Sequence, residues 1–241
     1  MVTVSGQRRY GDPCGVARSL DVLGDRWALL VIRDLLLGPK RFTDLLAGLP
    51  GASPNMITQR LSDLTAAGVL RRRRLPPPAE VWVYELTGKG RDLEPVLLHL
   101  GRWGAGLPYQ SGRRILGHDS LVLGLKAAWD PGRAASLAGA YELWIDHEVF
   151  ALRVQGTALT AARAPATSPD AVIRTDAETL TAVITGQQPV HAARASGKLA
   201  IKGNRTAVSR AAALLAPSAR RAAGTTSPAD LASPARAPAV T

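Results

Sequence analysis

The sequence predicts an α+β protein built in two parts. Three observations predict it. Apolar residues recur at helical spacing through successive segments of the first half. Two alternating segments, split by "PPPA", interrupt that helical run. The second half then turns to several strands interleaved with short helices. Domains commonly run ~100–200 residues, so one large or two small domains fit a chain of 241.

Taken in order, "VARSLDVLG" is a short amphipathic helix ending at Gly24. Asp25 is expected to cap the next helix, "RWALLVIRDLLLG", which Gly38 stops and Pro39 cannot continue. "KRFTDLLAGL" is a third helix, closed by "PGASP". Ser53 as N-cap and Pro54 at the first helical position start a fourth, which runs to Ala67 and stops at Gly68. "VLRRRRL" and "EVWVYELT" read as strands, the second alternating Val81, Val83 and Glu85 against Trp82, Tyr84 and Leu86. The prolines between them make a rigid hairpin tip. Thr87 then caps "GKGRDLEPVLLHLGRWG", a helix in which Pro95 is a candidate kink.

In the second part, "AYELWIDHEVFALRVQGTALTAARA" reads as strands with short turns and "DAVIRTD" as another strand. "AETLTAVITG" is a helix capped by Asp176, "GKLAIKGN" a strand and "RTAVSRAAALLA" a final helix. From Pro217 the chain is Ala/Pro/Ser-rich without periodicity, and disorder is expected there. The expected division is an extension over 1–11, a domain over 12–104, a linker over 105–118, a domain over 119–216 and a tail over 217–241.

Composition narrows the function. The formal net charge is +11, which suits a polyanionic partner such as nucleic acid. It is spread evenly, +5 over residues 1–110 and +6 over 111–241, so only the "RRRR" at 71–74 concentrates it. No apolar run approaches the ~18 residues of a membrane span, and the longest, "WALLVIRDLLLG", is cut by Arg33 and Asp34. The N-terminus shows no apolar leader, and the single cysteine, Cys14, excludes a disulfide framework. A cytoplasmic protein with no membrane association is expected. His99, His118, His147 and His191 lie far apart without metal-ligand spacing. With no Gly-rich phosphate loop and no nucleophile elbow, neither enzyme activity nor a cofactor or metal is expected.

Helix, helix, turn, helix, hairpin is the order of a winged helix-turn-helix. On the helix from Pro54, Ile57, Leu61 and Leu64 share the face that must be buried. Asn55, Gln59 and Ser62 lie opposite, flanked by Thr58 and Arg60. Asn and Gln pair with adenine, Arg with guanine or phosphate, and the helix N-terminus offers free N–H groups to a phosphate. The candidate DNA contacts are therefore Lys40, Arg41, Ser53, Asn55, Thr58, Gln59 and Arg60, with Arg72 and Arg74 on the hairpin. An ordinary surface helix also has a polar outer face. A strand, moreover, alternates faces, so about half of the four arginines must turn to an acid or an apolar surface instead.

Residues 12–104 resemble the HxlR family of bacterial winged helix-turn-helix regulators. The resemblance is carried by Cys14, "GDRWALLVIRDLLLGPKRFTDLLAGLPG", "MITQRLSDLTAAGVL" and "YELTGKGRDLEPV". The usual "P-x-R-V-E-Y" opening of the second wing strand is altered to "PPPAEVWVY". The resemblance implies a homodimer on an inverted repeat of double-stranded DNA, with the helix from Pro54 in the major groove. It places the dimer seam on helices near 16–23 and 90–103, where Val96, Leu97, Leu100 and Trp103 are suitable; these could equally pack inside one subunit. It gives Cys14 two readings, an oxidant-sensing thiol or an inert residue at the dimer seam, with Arg18 one turn on as the group able to lower its pKa.

Residues 119–216 resemble the sterol carrier protein type 2 fold, through "PDAVIRTDAETLTAVITGQQPVHAARASGKLAIKGN". The resemblance implies an apolar tunnel for a hydrophobic small-molecule effector, with Leu180, Val183, Ile184, Leu199, Ile201, Val208, Leu214 and Leu215 as candidate lining. The same residues would serve equally as core, and the domain could act only to strengthen a dimer. A DNA-binding regulator is the leading reading. A lipid or small-molecule carrier whose winged helix mediates assembly is the alternative.

Overall fold

A computed structural model of the chain describes residues 9–107 and 116–217. The linker core at 108–115 and the tail from 218 lie outside the described residues. Four helices come first: α1 (Gly15–Leu23), α2 (Ala28–Leu35), α3 (Phe42–Gly48) and α4 (Pro54–Ala66). The hairpin of β1 (Leu70–Arg74) and β2 (Trp82–Leu86) follows, then α5 (Gly88–Arg91) and α6 (Glu94–Gly104). The Ser53 hydroxyl caps α4 by accepting from the Met56 N–H at 3.3 Å, and Gly68, at φ 71°, turns the chain into β1. Ile57, Leu61 and Leu64 pack with Val31, Ile32 and Leu45 in one buried core.

Two elements differ from expectation. Asp25 does not cap α2, which starts after Trp27 at φ 78°; the Asp25 carboxylate instead holds Arg60. The helix after Thr87 is broken in two, with Pro95 in the first turn of α6. Proline has no N–H to continue the ladder from α5, so a new helix starts around it. Gly90 is required where it stands: a Cβ there would lie 2.3 Å from the Val69 carbonyl oxygen.

The second part opens with α7 (His118–Ala127), a 3-10 turn at Pro131–Arg133 and α8 (Ala134–Leu137). Its strands are β3 (Gly139–Ile145), β4 (Glu148–Gln155), β5 (Ala158–Ala162), β6 (Ala171–Thr175) and β7 (Leu199–Gly203). They form one sheet in the order β5-β4-β3-β6-β7, parallel between β3 and β6 and antiparallel elsewhere. Between β6 and β7 run α9 (Ala177–Ile184) and α10 (Val190–Ala195), and α11 (Arg205–Leu215) closes the fold. Asp176 caps α9, accepting from the Thr179 N–H at 2.7 Å. Alternation buries Tyr141, Leu143 and Ile145 on β3 and Phe150, Leu152 and Val154 on β4 in one core with Leu121, Leu180, Val183, Ala211 and Leu214 from the helices.

The two cores touch at a defined seam. Leu37, just past α2, is only 2 % exposed and belongs to the second core, not the first. The Arg163 N–H, at the end of β5, donates to the Leu37 carbonyl at 2.6 Å. Glu94 of α6 pairs with Lys126 of α7, and Arg102 donates to the Ala127 carbonyl. Among the described residues no helix is long and apolar enough to cross a membrane.

Candidate nucleic-acid interface

The outer face of α4 is open. Asn55, Thr58, Gln59 and Ser62 are all exposed, and Asn55 and Thr58 have no side-chain partner among the described residues. Because the Ser53 oxygen accepts from Met56, its own hydroxyl proton stays available to a phosphate at the helix N-terminus. Arg41 is exposed one residue before α3. Gln59 donates one amide N–H to the Asp63 carboxylate at 2.8 Å, which leaves its second N–H and its carbonyl oxygen for a base.

Two expected contacts are withdrawn by the geometry. The Arg60 guanidinium lies between Asp25, in the turn before α2, and Asp63, at 3.0 Å on its own helix. It ties α4 to the preceding helices instead of facing outward. Lys40 is buried, with its ammonium on Asp119 and 3.8 Å from Asp34. Burial pushes the Asp34 carboxyl up despite the nearby Arg33 and Lys40 charges. A desolvated, paired ammonium is not available to a phosphate.

Strand alternation divides the four arginines. Arg71 and Arg73 turn to Glu85, at 2.5 and 2.7 Å. Glu85 is Arg71's cross-strand partner on β2 and is buried. Burial alone would raise the Glu85 carboxyl, but hydrogen bonds from Arg73 and Arg71 outweigh it and hold it below the usual carboxylate range. Arg72 and Arg74 take the other face. The Arg72 guanidinium lies 4.6 Å over the Trp82 ring and 6.0 Å from that of Tyr84. Arg74 meets Glu80 at 3.2 Å, both side chains more than half exposed, so this pair is weak and easily surrendered. Trp82, 52 % exposed beside Arg72, is a candidate contact that sequence reasoning missed. Its position opposite Arg74 in the alternation was the available signal.

Residues 22–110 match the HxlR-like helix-turn-helix family model, and residues 121–216 match that of the SCP-2 sterol transfer family. An uncharacterized HTH-type transcriptional regulator of Synechocystis, sll1512, is 36% identical over 98 residues, covering 39% of this chain and 70% of its own length. YvaP of Bacillus subtilis, also an uncharacterized HTH-type transcriptional regulator, is 35% identical over 86 residues, covering 36% of this chain and 80% of its own. The chain belongs to the HxlR-like helix-turn-helix family. Among solved structures, the redox regulator HypR in its oxidized form shares 31% identity, covering 40% of this chain and 99% of its own, with a TM-score of 0.37.

In this HxlR-like chain, Cys14 is exposed at the start of α1. The backbone N–H groups of Ala17 and Val16 lower its pKa; the cause is the helix N-terminus, where the sequence suggested Arg18. Val16 and Leu20 on α1 are exposed, as are Val96, Leu100 and Trp103 on α6. Leu97, expected with them, packs against the first core within the subunit.

The residues expected to line a tunnel occupy the second core. Leu180, Val183, Ile184, Leu199, Ile201, Leu214 and Leu215 are buried in it and Val208 packs against it. The void that touches Ile184, Leu214 and Leu215 measures about 20 Å³, room for one water. A larger, open groove of about 530 Å³ adjoins it at Ala216 and Pro217 and runs past Pro189, His191 and Arg194, and none of the expected lining residues borders it. Apolar periodicity marks core and cavity wall alike, which is why the sequence could not separate them.

Proposed function

We propose that this chain is a cytoplasmic, non-enzymatic transcription regulator that binds double-stranded DNA as a homodimer on an inverted repeat. The exposed Asn55–Thr58–Ser62 surface of α4, behind a capped N-terminus, carries the reading. In it, α4 enters the major groove with Asn55, Thr58 and Gln59, steadied by Asp63, toward base edges. Ser53, Arg41, Arg72 and Arg74 take phosphates, with Trp82 beside them on the wing. The exposed apolar residues of α1 and α6, including Trp103 at 66 %, form the dimer seam. Residues 12–104 act as the reading domain and 119–216 as a second domain. Its packed core favours a bracing role over an internal tunnel for a hydrophobic effector.

Asn55→Ala is expected to weaken binding to DNA from upstream of the protein's own coding sequence by about 1–3 kcal/mol, with little effect on random DNA. Equal loss on both DNAs in a fluorescence anisotropy titration would remove Asn55 from base reading.

A further inference from the structure

Lys40 stands where three parts of the chain meet. Its backbone pairs with the wing: the Lys40 N–H donates to the Tyr84 carbonyl at 3.0 Å, and the Tyr84 N–H donates back at 2.8 Å. The residues that follow it open α3, the first helix of the helix-turn-helix. Its ammonium, on a side chain 9 % exposed, reaches out of the first domain to Asp119, in the first turn of α7. The second Asp119 oxygen holds Arg163. Arg163 also pairs with Glu148, lies 5.0 Å over the Phe150 ring and holds the Leu37 carbonyl through its backbone N–H. Arg33, Lys40 and Arg163 balance Asp34, Asp119 and Glu148 across the cluster.

Asp34, Lys40 and Asp119, at the centre of this cluster, are all buried. Removing one partner leaves an uncompensated charge in a desolvated place, which is why partial arrangements are costly. A shift of α7 therefore carries Lys40 with it, and Lys40 is bonded through its backbone to the wing and through its sequence to α3. We propose that Lys40 is a positioning residue for DNA binding: through Asp119, the second domain fixes the wing relative to α3 and α4 so that both can reach one duplex. The proposal rests on the DNA-binding reading of α4. It gives the second domain a way to act on DNA affinity through the Lys40–Asp119 pair.

The test uses the intact protein and three variants: Lys40→Met, Asp119→Asn and the double variant. Affinity for the upstream DNA, its salt dependence and backbone amide exchange are measured together. Each single variant is expected to lose about tenfold in affinity, and the double variant no more than the worse single, because both remove the same pair. The log–log salt slope stays at the wild-type value, because no phosphate contact is lost. Exchange of the Tyr84 amide accelerates in all three, while that of Leu143, deep in the second core, does not. Asp119→Asn preserves side-chain volume, and protected Leu143 shows that the variant is folded. A slope reduced by about one in Lys40→Met, with Asp119→Asn binding as wild type, would make Lys40 a direct phosphate contact and overturn the proposal. Unchanged affinity and unchanged Tyr84 exchange would overturn it as well. If the wild-type protein binds no DNA, it is the reading of α4 that fails. Tyr84 exchange in Asp119→Asn then still shows whether the second domain reaches the wing.

Discussion

Leu37→Ala is expected to uncouple the two halves of the chain. Leu37 follows α2 in sequence, yet its side chain is buried in the core of the second domain. Truncating a buried leucine costs about 2–5 kcal/mol, and the cost here falls on the contact between the halves. Scanning calorimetry of the wild type is expected to give one cooperative transition. The variant should give two, the first domain and second domain melting separately. The cores on either side remain, because Ile32, Leu61 and Leu143 each belong wholly to one of them. A single transition shifted by less than about 1 kcal/mol would show that Leu37 does not join the two.

Glu85→Gln is expected to increase binding to random DNA. The carboxylate is the shared partner of Arg71 and Arg73, whose side chains are 63% and 39% exposed. Without it, both guanidiniums become free to reach phosphates, and the log–log salt slope should steepen by about 0.9 for each one that does. Salt titrations with random duplex check this, and an unchanged slope would show that the wing base stays away from DNA. Protonation should act in the same direction. Since the Glu85 pKa is depressed in the fold, its contribution to stability is present above the ordinary carboxylate value and lost as pH falls through the depressed one. The hairpin should therefore loosen on acidification below the carboxylate range, which the NMR signal of the Trp82 indole N–H can follow.

Local chemistry was legible in the sequence where local chemistry decides structure. Ser53-Pro54, the spacing of Ile57, Leu61 and Leu64, and Gly68 defined α4 because capping, helical period and positive φ are properties of neighbouring residues. Period two was enough to divide the "RRRR" run, since cross-strand pairing gives Arg71 and Arg73 one face and Arg72 and Arg74 the other. What stayed hidden was set by partners distant along the chain. Asp25 looks like a cap but pairs with Arg60, 35 residues on, and Lys40 looks like a solvent-facing cation but pairs with Asp119, 79 residues on. In the second domain, α7 went unread because Leu121, Val122, Leu123 and Leu125 are buried around most of the helix and leave no one-sided stripe. The short α10 offers too few residues to show a period.

The most direct measurement is an equilibrium titration of the intact protein with DNA from upstream of its own coding sequence and with random DNA of equal length, over a series of salt concentrations. The predicted result is a preference for the upstream DNA of roughly 10³-fold or more, with log affinity falling linearly in log salt at about −0.9 per neutralised phosphate. Equal affinity for the two DNAs at every salt concentration would contradict DNA reading by α4.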